Sequence, residues 1–118
     1  MREIKFRAWL KQQKQMVKVN AIFFGLGLVE IEKKDKVYTG EHFEDIELMQ
    51  YTGLKDNNYN EIYEGDIVEL LTEVEEYGVV KFEDGAFYVE CDGFRVNFYD
   101  NIRGGDVIVI GNIYENKE

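Results

Sequence analysis

Few residues in this 118-residue chain could carry covalent or metal chemistry, and their spacing argues against both. His42 is the single histidine and Cys91 the single cysteine, 49 positions apart. A zinc site needs three or four converging nitrogen, sulfur or carboxylate ligands. Each residue therefore reads as structural, His42 in a loop and Cys91 as a small buried hydrophobe. Glu73, Glu75 and Glu76 gather carboxylates, but without the fixed alternation and central glycine of a calcium loop. They read as a solvated loop tip. Nucleophilic catalysis needs a nucleophile beside an oriented base. The chain has no serine, so Thr39, Thr52, Thr72 and Cys91 are left, with one histidine to serve them all. Carboxylate pairs of the kind glycosidases use carry no information among 24 acidic residues. Gly25-Leu-Gly27 lacks the third glycine and following helix of a dinucleotide fingerprint, and Gly104-Gly105 has no Lys-Ser/Thr beside it. The expectation is a protein that is not an enzyme and has no catalytic, cofactor or metal site.

The elements that hold these residues are strands. Ile4, Phe6 and Ala8 alternate with Glu3, Lys5 and Arg7, the period of a half-buried strand, up to Trp9. Lys11 to Gln15 is a polar turn, and Met16 to Phe24 returns as a second strand. Glu30 to Tyr38 predicts a weaker strand pair turning at Lys34-Asp35, and Gly40 to Met49 fits helix and strand equally well. Beyond Tyr63 the pattern sharpens: Asp66 to Leu71 is a strand, and Glu73 to Tyr77 an acidic loop. Gly78 to Glu83 and Ala86 to Cys91 then form a hairpin on Asp84-Gly85, a turn whose central residues tolerate positive φ. Asp92-Gly93 turns again into a strand over Phe94 to Tyr99. Val107-Ile-Val-Ile110 is an unbroken β-branched run that predicts burial on both faces. Proline is absent, so Gly, Asn and Asp must make the turns. No sustained helical stripe occurs, and little helix is expected.

Composition excludes other classes. The chain is 45% hydrophobic, with eight Phe and eight Tyr, too apolar for a disordered tail. Its longest apolar run, Ala21 to Val29, is interrupted by two glycines and falls far short of the roughly 20 residues a membrane span needs. The charged N-terminus is no signal peptide. The lone cysteine excludes an internal disulfide and fits a reducing cytoplasm. Net charge is −10, unevenly spread: residues 1–20 hold six basic side chains and one acidic, and the other 98 hold eight basic and 23 acidic. So acidic a body repels a nucleic-acid backbone at range.

One stretch resembles a known family. Gln50-Tyr-Thr-Gly-Leu-Lys-Asp56 running into Glu61-Ile-Tyr-Glu-Gly-Asp-Ile-Val68 is similar to the central signature of the YopX family of phage- and prophage-encoded proteins. Ile4-Lys-Phe-Arg-Ala-Trp9 resembles its opening strand, and Val109-Ile-Gly-Asn-Ile-Tyr-Glu-Asn116 its closing one. The resemblance implies bacterial cytoplasm as the setting and brings no biochemical activity with it. The signature residues read as structural: Gly53 and Gly65 as positive-φ turns, Asp66 as a turn cap, and Trp9, Tyr51 and Tyr63 as large fillers. Thr52, Gly111 and Asn112 complete the set. Leu10 replaces the family's usual Asp after the Trp, and Tyr59 its usual Gly. Asn57, Asn58 or Asn60 is then expected to take the positive φ, because an aromatic there is costly.

The strands from Gly65 onward also look like an SH3-like barrel. The fold expected is mainly β. Residues 1–60 would form an irregular N-terminal β lobe packed on a small SH3-like barrel of residues 61–118, the two making one compact unit. The function expected is that of a protein-binding or self-assembling module, with a homo-oligomer or a host or phage protein as partner and no membrane. Arg2, Lys5, Arg7, Lys11, Lys14 and Lys18 form a basic first hairpin that offers two alternatives. It could bind nucleic acid, or the acidic body could act as a DNA-mimicking inhibitor.

Overall fold

The computed structural model describes residues 3–33, 37–72, 75–99 and 102–115. Its paired strands are all antiparallel, the described residues include three short 3-10 turns, and the chain divides into two compact units. Residues 4–50 make one; residues 51–118, with 1–3, make the other. The 4–50 unit is a meander of β1 (Phe6–Leu10), β2 (Gln15–Phe23), β3 (Leu28–Lys33), β4 (Val37–His42) and the start of β5 (Ile46–Lys55). β1 lies between β2 and β5, with Ala8 opposite Val17 and Leu48, and Leu10 opposite Gln15 and Ile46. Period two therefore brings Ala8, Leu10, Val29, Ile31 and Ile46 into one buried cluster, with Val17, Val19, Ile22 and Leu48 against it. Ile4, expected on that face, is 65% exposed, because the strand starts only at Phe6. The predicted turn at Lys34-Asp35 lies outside the described residues. The ambiguous 40–49 segment resolves into the end of β4, a 3-10 turn over Phe43–Asp45 and the start of β5.

In the 51–118 unit the second half of β5 pairs with β6 (Glu61–Tyr63), and a five-stranded sheet follows in the order β10-β9-β8-β7-β11. Its strands are β7 (Asp66–Leu71), β8 (Glu75–Glu83), β9 (Ala86–Cys91), β10 (Phe94–Asn97) and β11 (Val107–Asn112). Asp84 and Gly85 turn the β8–β9 hairpin at φ 54° and 80°, the two positive values that match the twist of its strands. Ile62, Val68, Leu70, Val80, Phe87, Val89, Cys91, Phe98, Ile102 and Val107 close the core. Gly78 is required inside β8: a Cβ there would sit 2.4 Å from Val89 Cγ1 and 2.8 Å from the Glu90 carbonyl oxygen.

Three expectations fail here. These strands form an open sheet, not a closed barrel. β10 and β11 are its two edges, and the outer edge of β11 is taken up by the Asp56–Asn60 loop. Being an edge strand, β11 is not buried on both faces either: Ile110, on the bulge between Val109 and Gly111, is 47% exposed. The acidic loop is shorter than expected, since Glu75 already belongs to β8, where pairing with Leu71 extends the ladder; Glu73 lies outside the described residues.

Candidate functional site

The signature stretch builds a turn system around two buried carboxylates. Gly53 takes φ 87° where the β5–β6 register shifts. Thr52 supplies the polar contacts that the irregular ladder omits: its hydroxyl donates to the Ile62 carbonyl at 2.8 Å and accepts from the Leu54 amide at 3.1 Å. The Tyr51 and Tyr63 rings pack at 5.4 Å across the same strands. Gly65 takes φ 89° in the next turn, with its amide donating to the Val80 carbonyl at 2.8 Å. Asp66 accepts the Tyr63 amide at 2.7 Å. Near the C-terminus Asn112 accepts the Tyr114 and Glu115 amides at 3.0 and 2.8 Å, and Gly111 follows the β11 bulge.

Asp56 ties this system together, and sequence reasoning passed it over although it ends the quoted motif. Its carboxylate is 3% exposed and accepts the amides of Asn58 (2.9 Å), Asn60 (2.8 Å) and Val109 (2.8 Å). Burial pushes its pKa up, but the hydrogen bonds from Val109, Asn60 and Asn58 outweigh that and hold it below the usual carboxylate value. Asn57 adds two hydrogen bonds at 2.9 Å, its backbone amide donating to the Val107 carbonyl and its side-chain nitrogen to the Gly105 carbonyl. Gly104 is buried where a Cβ would lie 2.2 Å from the Lys55 carbonyl oxygen, so glycine is needed for the close approach. The positive φ in this loop falls on Tyr59 itself, at 65°, and not on an asparagine. The Asp56 bonds fix the backbone on both sides, and the ring stands 84% exposed in water, so no packing clash opposes it.

The first hairpin is not a uniform cationic face. Lys11 pairs with Glu47 at 3.4 Å and donates to the Glu44 carbonyl at 3.1 Å. Lys5 and Arg7 are half-buried, and neither is without a partner. Lys14 and Lys18 are exposed and make no ion pair with any described residue, and Arg2 lies outside the described residues. Trp9, on the same hairpin, is half-buried opposite Met16 and Glu47. His42 is exposed at the end of β4, whereas Cys91 is buried. Burial, then the Glu76 charge, pushes the Cys91 thiol up and keeps it protonated. On the outer face of β8–β10 the charges satisfy one another: Lys81 pairs with Glu90, Tyr88 donates to Glu83 at 2.8 Å, and the Arg95 guanidinium lies 4.2 Å over the Tyr88 ring.

Two surfaces of the 4–50 unit are open. At its second hairpin the 3-10 turn Phe24–Leu26 closes on Gly27 (φ 65°), whose carbonyl accepts the Phe43 amide at 2.9 Å. Phe24 meets Phe43 edge-on at 6.3 Å, and Phe24 and Leu26 remain 76% and 70% exposed, with Phe23 and Phe43 beside them partly so. Glu41, Glu44 and Asp45 flank Phe43 in the chain. The second surface is a groove of about 780 Å³ lined by Leu10, residues 15–18 of β2, Glu32 and Lys33. The sequence signal for the first is the run Ile22-Phe-Phe-Gly-Leu26, which lies at the end of the second predicted strand and within the longest apolar run.

These features define a small, two-unit antiparallel β protein whose 51–118 unit is built on turn glycines and buried turn-capping carboxylates. The chain belongs to the YopX family, whose model ("YopX protein") matches residues 5–118. It is similar to a solved structure described as protein EF1440 from Enterococcus faecalis, with 28% identity and a TM-score of 0.65, covering 98% of this chain and 96% of that one. No curated protein matches the chain. Among the described residues no helix is long and apolar enough to cross a membrane.

Proposed function

We propose that the chain is a non-enzymatic, phage-type accessory protein of the bacterial cytoplasm that binds another protein. The observation that carries this reading is the exposed cluster of Phe23, Phe24, Leu26 and Phe43, at the end of β2 and on two 3-10 turns. Contiguous exposed aromatics of this kind cost solubility and mark interaction surfaces. The neighbouring Glu41, Glu44 and Asp45 favour a partner with an apolar centre and a cationic border, and disfavour an anionic membrane surface. The nucleic-acid alternative draws on six cations of the first hairpin, and Lys11, Lys5 and Arg7 are already engaged, which weakens it. The DNA-mimic alternative draws on the acidic unit: residues 1–3 and 51–118 hold 17 acidic and six basic side chains, while 4–50 hold seven and eight. An SH3-like relation of the acidic unit is supported by its strand order, β11-β7-β8-β9-β10, with a 3-10 turn before β11.

The test is affinity capture from phage-infected host lysate with the wild-type chain and a Phe24→Asp, Leu26→Asp variant. The expected result is one partner lost in the variant and recovered as a direct binary complex with purified protein. An identical set of captured proteins from both baits would overturn the reading. Light scattering at low micromolar concentration runs alongside, and a mass above 13.9 kDa for the wild type that falls in the variant would make the partner a second copy.

A further inference from the structure

We propose that the gap between β2 and β3 is a strand-accepting slot for an acidic, extended segment of a partner protein. The two strands pair only from Val19↔Ile31 to Phe23↔Leu28. Continuing that register would place Lys18 against Glu32 and Val17 against Lys33, yet neither pair forms. The far edges of the same residues are in use: 15–18 pair with β1, and Glu32 and Lys33 pair with β4. Two strand edges thus diverge, with no described residue paired to the inner side of either, and the 780 Å³ groove is lined by residues of both.

That geometry selects a peptide. Unpaired edge amides and carbonyls recur at strand spacing and satisfy an incoming backbone, as in β-strand addition. Leu10, Met16 and Val17 give the slot apolar lining, Val17 on one face of the sheet and Met16 on the other, where alternate side chains of a guest strand would lie. Its charged rim is Lys18, Lys33 and Glu32, and the adjoining turn adds the exposed Lys14, a net positive border on a chain of net charge −10. Charge complementarity therefore asks for acidic residues on the other face of the guest strand. Single-stranded nucleic acid is the poorer fit, because such grooves stack bases on aromatic side chains and none of the described residues lining this one is aromatic. The slot deepens the protein-binding reading, but it lies on residues distinct from the Phe24 cluster, so each surface fails or stands on its own variant.

The experiment uses the full chain and a labelled ten-residue peptide of alternating Val and Glu. Anisotropy should give a Kd of roughly 100 μM or tighter. Amide chemical-shift changes should concentrate on residues 15–18 and 32–33. A peptide with N-methyl groups on one backbone edge should bind at least about tenfold more weakly, as should the Lys18→Glu, Lys33→Glu variant, whose amide spectrum reports whether it is folded. Binding of a control peptide of alternating Val and Lys as tight as that of the acidic one would overturn the proposal. So would shifts centred elsewhere, indifference to N-methylation, or no binding at about 1 mM. If the 15–18 and 32–33 amides instead shift with protein concentration alone, or with an oligothymidine, the occupant is a second copy or a nucleic acid and the assignment is wrong.

Discussion

Replacing Asp56 should cost more stability than replacing any other single polar side chain of the signature stretch. In the wild type one buried carboxylate accepts three backbone amides, from Asn58, Asn60 and Val109. Asp56→Ala leaves all three without an acceptor. The Asn58 and Asn60 amides belong to exposed residues, where water can replace the carboxylate, so each loss is worth about 0.5–1 kcal/mol. The Val109 amide faces the loop from the edge of the sheet and is only part-exposed, so its loss is worth about 1–3 kcal/mol. The expected total is about 2–5 kcal/mol, a large share of the 5–15 kcal/mol that holds a typical domain. Asp56→Asn keeps one acceptor oxygen but turns an amino group toward another donor, and about 1–3 kcal/mol is expected. The pH dependence follows from the lowered pKa. A carboxyl whose folded value lies below its unfolded value, near 3.9, contributes its full stabilisation above the unfolded value and loses it as pH falls through the folded one. The gap between wild type and Asp56→Asn should therefore be constant from pH 7 to about 5 and close progressively below about 4. Urea titrations followed by circular dichroism at a series of pH values measure both quantities. An Asp56→Ala midpoint within about 0.5 kcal/mol of wild type, or a gap that persists undiminished to pH 2, would refute the reasoning.

Further expectations concern backbone strain, packing and charge. Tyr59→Gly should stabilise by about 0.5–1 kcal/mol, because it removes a positive-φ aromatic that packs on nothing; a lower denaturation midpoint would show that the ring has a role in the fold. Gly78→Ala should destabilise by about 1–3 kcal/mol through the Val89 and Glu90 contacts, and an unchanged thermal midpoint would mean that β8 shifts freely. Duplex DNA should bind no tighter than about 100 μM at physiological salt, because the 23 carboxylates beyond residue 20 outweigh the hairpin cations. Anisotropy with random duplex at two salt concentrations checks this, and micromolar, salt-sensitive binding abolished by neutralising Lys14 and Lys18 would restore the nucleic-acid reading.

Local chemistry was legible in the chain wherever one or two adjacent residues decide the outcome. Alternation placed Ala8 inside, Asp84-Gly85 set a hairpin whose register needs nothing beyond its own twist, and the ordered Tyr-Thr-Gly and Glu-Gly-Asp motifs pointed to the family. What the tertiary structure decided lies where distant segments compete for the same backbone groups. Whether the last strands close into a barrel depends on what occupies the outer edge of β11, and that is the Asp56 loop, some fifty positions earlier in the chain. Tyr59 holds a conformation that its own sterics oppose because Asp56 anchors the backbone on either side. The groove beside Lys18 and Lys33 exists only because β2 turns from β3 to β1 along its length, a change of partner that period two reads identically on both halves. Alternation reports which face of a strand is buried and is silent on which neighbour completes its edge, since every neighbour offers the same amides and carbonyls.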